Sequence, residues 1–471
     1  MNSLAADQLF ADPRVAQAKR LVLDALADHQ RTITTVRPPV TECQATYQQT
    51  IEQFNQVRGG DLFYRYLGSG IGNGALVELA DGSVKYDMVT GIGVHVLGHS
   101  HPALVEAALD AAIRNTVMQG NLQQNTESLA LSQMLLEAAN RNGAVLDHCF
   151  LTTSGAMANE NGLKLVFQHK HPANRVLAFD RCFMGRTLAL AQITDRPGYR
   201  TGLPHTLNVD YVPFFDYTQP KRSTDRAVRT LVRHLECHPG RHAAMCFELV
   251  QGEGGYYPGD RGFFVALMEV LTDRGVAVFI DEVQTFGRTT ELFAFQHYGL
   301  DQYVDLVTIG KLSQVCATLY RARYKPKPGL ISQTFTGATA SILAAQTIVP
   351  TLVEGGHFGP NGRNMQIQRR FADRLDAIAA RRPGGLSGPY GIGGMIAFTP
   401  FDGRPDKVKR FVSALFDAGV IAFVAGTEPL RVRLLVPVGA ITDTDIDAVC
   451  TIIEQTLVDT AATIEESTPC S

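Results

Sequence analysis

The order of apolar and polar positions predicts strands alternating with helices through the middle of the chain. Short apolar runs typical of buried strands lie at residues 148–153, 175–179, 243–249, 276–280 and 304–309. Apolar residues recur at helical spacing between them, at residues 158–168, 226–236 and 262–274. Because this alternation is typical of sheets covered by helices on both faces, it predicts an α/β fold with a mostly parallel central sheet.

The two ends of the chain follow other patterns. Residues 1–58 predict helices interrupted around Pro38, and apolar runs flanking Asp81 and Gly82 predict a β-hairpin. Beyond residue 340 the pattern predicts helices at 364–380, 407–418 and 444–458, strands at 395–398 and 430–435, and a loose C-terminal tail. We therefore expect three parts: an N-terminal helical arm (1–58), a small α+β domain (59–100 with 341–471) and a large α/β domain (101–340).

Composition and charge narrow the functional classes. The chain has 43 Lys and Arg against 46 Asp and Glu, so no strong field attracts nucleic acid or an anionic membrane. No apolar run approaches the ~20 residues of a membrane span, and the N-terminus lacks the apolar core of a secretion signal. The 8 cysteines are scattered without a Cys-x-x-Cys pair, which is typical of reduced thiols. These features predict a cytoplasmic enzyme.

Two motifs suggest chemistry that their context argues against. Residues 70–75 fit a glycine-rich dinucleotide fingerprint, but a hairpin follows where that motif needs a helix, so we expect a turn or entrance loop. Four histidine and cysteine residues within nine positions resemble a zinc site, but Pro239 and Gly240 lie among them and predict the end of a helix after residue 238. We expect solvated side chains rather than metal ligands at His234, Cys237, His238 and His242.

Residues suited to catalysis come directly after predicted strands, at the edge where ligands bind in open α/β sheets. The small residues at 153–160 open a helix, whose free amides and dipole favour a phosphate. Asp281 ends one apolar strand, where an unpaired carboxylate is costly to desolvate. Lys311 follows another strand, where burial would lower its pKa and yield an amine nucleophile.

Taken singly, these groups also have ordinary explanations as a helix cap, an ion pair and a surface lysine. Together they meet the needs of one cofactor, pyridoxal 5′-phosphate (PLP). Its aldehyde needs a lysine for a Schiff base, its pyridine nitrogen needs an acid, and its phosphate needs amide donors.

The sequence resembles the class III aminotransferases, the group of acetylornithine, ornithine, lysine-ε and 4-aminobutyrate aminotransferases. The resemblance covers about residues 60–460 and lies in motifs at 98–102, 153–160, 185–187, 251–255, 281–289 and 310–311. It implies the PLP-dependent transferase fold of the aspartate aminotransferase type. It also implies an enzyme that moves an amino group to a 2-oxo acid, with an ω-amine of an amino acid or polyamine-like compound as donor and 2-oxoglutarate as acceptor.

The resemblance implies a role for each matching residue. Lys311 would hold the cofactor and shuttle a proton between the substrate carbon and the cofactor, and Asp281 would pair with the pyridinium nitrogen. Thr334 would reach the phosphate of the neighbouring subunit, which implies a homodimer with shared active sites. The other implied cofactor-binding residues are Ser154, Gly155 and Ala156 at the phosphate, Phe183 and Val283 on the two ring faces, and Gln284 at the ring hydroxyl.

Three charged residues are implied in substrate binding. Arg433 matches the family arginine that binds a substrate α-carboxylate. Glu253 matches the glutamate that pairs with this arginine when the donor lacks a carboxylate beside its amine. Arg186 matches a position that can hold the distal carboxylate of 2-oxoglutarate. Guanidinium groups suit these roles because they bind carboxylates bidentately.

Several loops depart from the family pattern, so the donor is left open. The family's histidine or tryptophan before Gly185 is Met184, the proline after Glu248 is Leu249, and further departures lie at residues 285–287, 312–316 and 336–339. Residues 420–437 look closest to the lysine-ε-aminotransferases. Two alternatives are a racemase, aminomutase or decarboxylase on the same PLP fold, and a catalytically retired binding protein.

Overall fold

The structure, a computed structural model, describes residues 4–466. The chain begins with helices and a hairpin: α1 (Ala5–Phe10), α2 (Pro13–Gln30), α3 (Thr41–Arg58), β1 (Gly68–Asn73), β2 (Leu76–Leu79), β3 (Val84–Asp87), α4 (Thr90–Gly93), α5 (Pro102–Ala112), β4 (Val117–Met118) and α6 (Thr126–Asn140). The predicted hairpin is confirmed as β2 and β3. Gly70 and Gly72 lie on β1, which pairs with β2, and not in the expected turn or entrance loop. Helices α2 and α3 flank the break predicted around Pro38.

The middle of the chain alternates strands and helices as predicted. Its elements are β5 (His148–Thr152), α7 (Gly155–His169), β6 (Arg175–Phe179), α8 (Leu190–Ile193), β7 (Asn208–Val212), α9 (Pro220–Cys237), β8 (His242–Phe247), β9 (Val250–Gln251), α10 (Gly252–Gly255), β10 (Tyr257–Pro258), α11 (Arg261–Asp273), β11 (Ala277–Glu282), α12 (Ala294–His297), β12 (Leu306–Ile309), β13 (Cys316–Tyr320), β14 (Gly337–Ala338) and α13 (Thr339–Glu354).

The central sheet has the strand order β5-β13-β12-β11-β8-β6-β7. Its pairs are parallel except at β13, which runs antiparallel to both β12 and β5, so the mostly parallel sheet is confirmed. The sequence pattern does not predict β7 or β13. Strand β7 is only partly buried and lies at the sheet edge. Only a short 3-10 turn, Lys311–Ser313, separates β12 from β13, so the expected alternation of strands and α-helices is broken.

The C-terminal part contains α14 (Arg363–Arg381), β15 (Leu386–Ile392), β16 (Met395–Pro400), α15 (Pro405–Asp417), β17 (Val420–Ile421), β18 (Phe423–Ala425), β19 (Arg431–Leu435) and α16 (Asp443–Glu466). Strands β15, β16, β19 and β18 form one sheet, and β17 joins β1, β2 and β3 in another. Pairing of β17 with β3 therefore brings residues from the two ends of the chain together.

Two predictions outside the central sheet need correction. Helix α16 continues to Glu466 instead of ending at residue 458, and residues 467–471, with Cys470, lie outside the described residues. His242 is buried, not solvated, and its Nε2 lies 2.7 Å from Asp210. His234 instead contacts the Tyr211 carbonyl. Among residues 4–466 no group of His, Cys, Asp or Glu is arranged to hold a metal ion, and no helix is long and apolar enough to cross a membrane.

Candidate active site

The carboxyl ends of β5, β8, β11 and β12 meet at a cavity of about 330 Å³. It contains nine of the residues predicted from the sequence: Gly155, Ala156, Phe183, Arg186, Glu253, Asp281, Val283, Gln284 and Lys311. Asn159, Met184, Gly185 and Glu248 complete its lining. The strand edge expected to carry the site therefore does bring these side chains together.

Asp281 is a buried carboxylate held in a fixed orientation at the end of β11. One oxygen accepts a hydrogen bond from the Val283 amide at 2.8 Å, and the other accepts one from Asn159 Nδ2 at 2.7 Å. Burial raises the pKa of Asp281, and these two hydrogen bonds oppose that rise. A cationic partner in the cavity would offset the remaining cost of keeping the carboxylate charged.

Asn159 links Asp281 to the surrounding structure. It accepts a hydrogen bond from Thr308 Oγ1 at 2.7 Å and donates one to the Met184 carbonyl at 2.8 Å. Because all its bonds are buried, the Asp281 carboxylate cannot easily rotate. The sequence places Asn159 in a small-residue turn but does not predict this role, because the contact depends on how α7 packs against the sheet.

Lys311 lies directly after β12, in the left-handed backbone region with φ 52°. Desolvation lowers the pKa of its amine, while the carboxylates of Glu253 and Asp281 act in the opposite direction. Gly310, the residue before Lys311, lets the backbone pass close to Cys316, because a Cβ at position 310 would lie 2.7 Å from Cys316 Sγ. The lysine thus contributes an amine of lowered pKa to the cavity lining, which also holds the Asp281 carboxylate.

The turn before α7 offers amide donors for an anion. Ser154 caps the helix, since its Oγ accepts a hydrogen bond from the Met157 amide at 3.2 Å. Gly155 and Ala156 stand in the first turn, where amides have no acceptor within the helix. A Cβ on Gly155 would lie 2.6 Å from Val283 Cγ1, so the glycine lets Val283 pack against the turn.

Gln284 leaves an unused acceptor in the site. Its Oε1 is buried without a hydrogen-bond partner among the described residues, and Gly252 leaves room for it because a Cβ there would overlap that oxygen. A ring hydroxyl would satisfy this oxygen. Free helix amides, an oriented acid, a desolvated amine and an unpaired acceptor are the groups that PLP requires, so the residues present fit that cofactor.

Arg433 and Glu253 form an ion pair beside this cavity, with Nη2 and Oε1 2.6 Å apart. Arg433 is only 1% exposed on β19, whereas Glu253 is partly exposed on α10. Apart from this ion pair, the guanidinium makes no well-aligned hydrogen bond within residues 4–466, so a carboxylate that approaches in its plane could bind it bidentately. A substrate carboxylate could therefore replace Glu253.

Arg186 and Thr334 are both exposed, at different places. Arg186 lies at the cavity mouth, where its guanidinium is 4.2 Å from the centre of the Tyr199 ring and no carboxylate of the described chain pairs with it. Thr334 does not line the cavity of its own chain. Its expected contact with a neighbouring subunit stays a prediction.

Glu248 is a second buried carboxylate at the site. It accepts hydrogen bonds from the amides of Phe183 and Gly252, each at 2.9 Å. It therefore holds the Phe183 segment against the turn that carries Glu253. The sequence pattern does not single out Glu248 as a site residue, although its place at the end of β8, on the sheet edge that carries Asp281, is a signal for it.

We predict that two buried carboxyl groups make the free energy of unfolding depend on pH. Burial raises the pKa of both Glu248 and Glu282 from 4.5 to about 8. The folded chain therefore keeps protons that the unfolded chain releases, and the free energy of unfolding should fall as the pH rises from about 5 to about 8. Urea unfolding of the cofactor-free protein measures this slope. Glu282→Gln should make it shallower, and an unchanged slope would contradict the assignment.

A comparison with known families identifies the class of protein. Residues 69–457 match the family model for aminotransferase class-III. The chain therefore belongs to the class III aminotransferases and is a PLP-dependent aminotransferase.

Individual members of the family are about 30% identical to this chain. The chain is 30% identical to the acetylornithine aminotransferase of Thermosynechococcus vestitus over 390 residues, 80% of this chain and 89% of the relative. It is 31% identical to the succinylornithine transaminase of Salmonella enteritidis over 379 residues, 76% of this chain and 85% of the relative.

Solved structures share the fold. A lysine aminotransferase from M. tuberculosis in the internal aldimine form has a TM-score of 0.76 at 24% identity, covering 87% of this chain and 99% of its own. The ornithine aminotransferase from Toxoplasma gondii ME49 has a TM-score of 0.76 at 21% identity, covering 88% of this chain and 96% of its own. The predicted fold class is thereby confirmed.

Proposed function

We propose that the enzyme transfers the ω-amino group of an amino acid or polyamine-like donor to 2-oxoglutarate. The observation that carries this proposal is the Arg433–Glu253 ion pair beside Lys311. A donor that reacts at an ω-amine has no carboxylate beside the reacting carbon, so Glu253 neutralises Arg433 while that donor is bound. A 2-oxo acid has such a carboxylate and displaces Glu253. Arg186 at the cavity mouth then suits the distal carboxylate of 2-oxoglutarate.

We assign the residues of the cavity as follows. Bound PLP supplies an electron sink for the charge that develops on the substrate carbon. Lys311 would hold the cofactor, and its Nζ would take up the proton lost by the substrate carbon. Asp281 keeps the ring nitrogen protonated, and Gln284 binds the ring hydroxyl. Phe183 and Val283 enclose the ring faces.

The phosphate completes this assignment. The Gly155 and Ala156 amides bind it at the start of α7. The Ser154 hydroxyl caps the same helix and keeps those amides in place, so we place Ser154 near the phosphate without requiring a direct bond.

A donor panel tests the proposed substrate class. Purified holoenzyme is incubated with 2-oxoglutarate and L-lysine, L-ornithine, N-acetyl-L-ornithine, 4-aminobutyrate or putrescine, and glutamate formation is measured. We expect turnover with at least one ω-amine. In Arg433→Met the KM for 2-oxoglutarate should rise about 10- to 100-fold, because a bidentate charged contact is lost. The exposed Arg404→Met serves as control, and an unchanged KM in Arg433→Met would contradict the role of Arg433.

We infer that the enzyme works as a homodimer with shared sites. Strand β14 pairs with β4, which brings the Thr334 segment beside residues 117–122. Large apolar side chains stand exposed there, with Leu122 89% and Phe335 63% exposed. Exposed apolar groups of this size are typical of an interface, and the low charged fraction of 19% supports a large covered surface.

Mixed dimers test the shared site. Thr334→Ala should weaken PLP binding, and Lys311→Ala should be inactive. If Thr334 serves the neighbouring site, a dimer of one chain of each variant contains one complete site and should recover about half of the wild-type activity. If the mixture, after its subunits have exchanged, is only as active as the average of the two separate variants, the site is not shared between subunits.

The remaining proposals concern boundaries and compartment. We propose the division at residues 58, 100 and 340, supported by the joining of β17 to β3. We also propose a cytoplasmic enzyme, supported by cysteines that mostly lie buried or half-buried as free thiols within the described chain.

A further inference from the structure

The Glu253 carboxylate stands on the four-residue turn α10, whose backbone is held at several points. At its start, the Gly252 amide donates to Glu248 Oε1 at 2.9 Å. In its middle, the Glu253 carbonyl accepts hydrogen bonds from Arg196 Nη2 at 2.8 Å and from the Gly426 amide at 2.9 Å. The turn is therefore not a free loop, and its position depends on the groups that hold it.

Its final carbonyl is held by Arg431, two residues before Arg433 on the same strand. Arg431 Nη1 donates to the Gly255 carbonyl at 2.6 Å, and the side chain is only 3% exposed. Within residues 4–466 no carboxylate lies within ion-pair distance of this guanidinium. Arg431 is thus a buried cation whose hydrogen bond goes to the turn.

Two aromatic rings support Arg431. Its guanidinium carbon lies 3.6 Å from the centre of the Tyr390 ring and 4.0 Å from that of Tyr257. Cation–π contacts are strongest when desolvated, and a planar guanidinium can stack between two rings where a lysine ammonium cannot. The rings therefore fix the direction in which Arg431 donates.

We propose that Arg431 is a positioning residue that joins the turn of Glu253 to the strand of Arg433, and thereby sets the enzyme's selectivity for donors without a carboxylate beside the reacting carbon. Because the turn is held in place, only the Glu253 side chain moves when a carboxylate binds Arg433. Without Arg431 the turn shifts, Glu253 no longer neutralises Arg433, and such donors meet an unpaired buried cation. This inference rests on the proposed function of the Arg433–Glu253 pair.

Arg431→Met tests the proposal because it keeps an unbranched stem as far as the position of Nε and removes both the charge and the donors. In cofactor-free protein, hydrogen exchange of the amides at 251–257 should accelerate about tenfold. In holoenzyme, the KM for N-acetyl-L-ornithine should rise about tenfold while that for 2-oxoglutarate stays within about twofold. Arg431→Lys should fall between wild type and Arg431→Met. Arg321→Met removes another arginine that donates to backbone carbonyls, and it should change neither quantity.

The outcomes test the positioning role of Arg431 separately from the proposed function of the Arg433–Glu253 pair. Unchanged exchange at 251–257, or an equal rise in both KM values, would overturn the positioning role. If wild-type enzyme does not use N-acetyl-L-ornithine, another active ω-amine from the donor panel replaces it. If no ω-amine is active, the proposed function fails, and the exchange measurement alone decides whether Arg431 holds the turn. If Arg431→Met does not fold, Tyr390→Leu removes one stacking ring and should give the same pattern at smaller amplitude.

Discussion

Replacing Lys311 with alanine is expected to abolish transamination and to lower kcat/KM by at least about 10⁴-fold, because covalent attachment and proton transfer are lost together. The amine has a lowered pKa and lines the cavity together with the carboxylates of Glu253 and Asp281. No other lysine lines this cavity among the described residues. Glutamate formation measures turnover, and the visible absorbance of the Lys311–cofactor bond reports attachment.

Two controls separate loss of chemistry from loss of folding. Lys325→Ala removes an exposed lysine and should leave turnover and absorbance unchanged. A small external amine such as methylamine should restore part of the activity of Lys311→Ala, since it can accept the proton that Lys311 normally moves. Persistent transamination in Lys311→Ala without added amine would show that another group performs this step.

The second large effect is expected for Asp281→Asn, which should lower kcat by about 10²- to 10³-fold or more. The substitution preserves the shape of the side chain but removes the charge that holds a proton on the ring nitrogen. The hydrogen bonds from Val283 and Asn159 orient the carboxylate before any ligand arrives, so its electrostatic contribution is preorganised. Steady-state kinetics at saturating PLP measures the loss.

Glu282 offers a matched control for this variant. It is the next residue on β11, equally buried, but its carboxylate accepts from the amides of Ala294 and Phe295 and does not line the cavity. Glu282→Gln should therefore alter stability while leaving kcat within about threefold. If Asp281→Asn and Glu282→Gln lowered kcat equally, general destabilisation would explain both, and the role of Asp281 would be wrong.

The sequence predicts much of this site because the relevant residues follow apolar strands. The carboxyl ends of parallel strands meet at one edge of the sheet, so the sequence alone predicts that Asp281 and Lys311 are neighbours. Asn159 and Glu248 are harder to predict. Their importance lies in hydrogen bonds to Asp281, Phe183 and Gly252, and such bonds depend on side-chain directions that periodicity does not specify.

The same distinction applies to the fold. The five predicted strands of the central sheet are apolar runs, whereas the partly buried edge strand β7 and β13, which returns antiparallel through a short turn, are not predicted. His242 looks like one of several polar residues near a helix end, yet its ring is buried against Asp210 because β8 begins there. Local pattern predicts which elements form, and tertiary contacts decide which polar groups become buried.

A half-reaction with one equivalent of donor distinguishes transamination from the other reactions that PLP supports. Holoenzyme is mixed with one equivalent of the active ω-amine from the donor panel, without any 2-oxo acid, and the cofactor spectrum is followed. We expect the Lys311-bound absorbance to be replaced by that of the amine form, and 2-oxoglutarate to restore it with release of one equivalent of glutamate. If no amine converts the spectrum to the amine form, and a decarboxylated, racemised or rearranged product appears instead, the enzyme is not a transaminase.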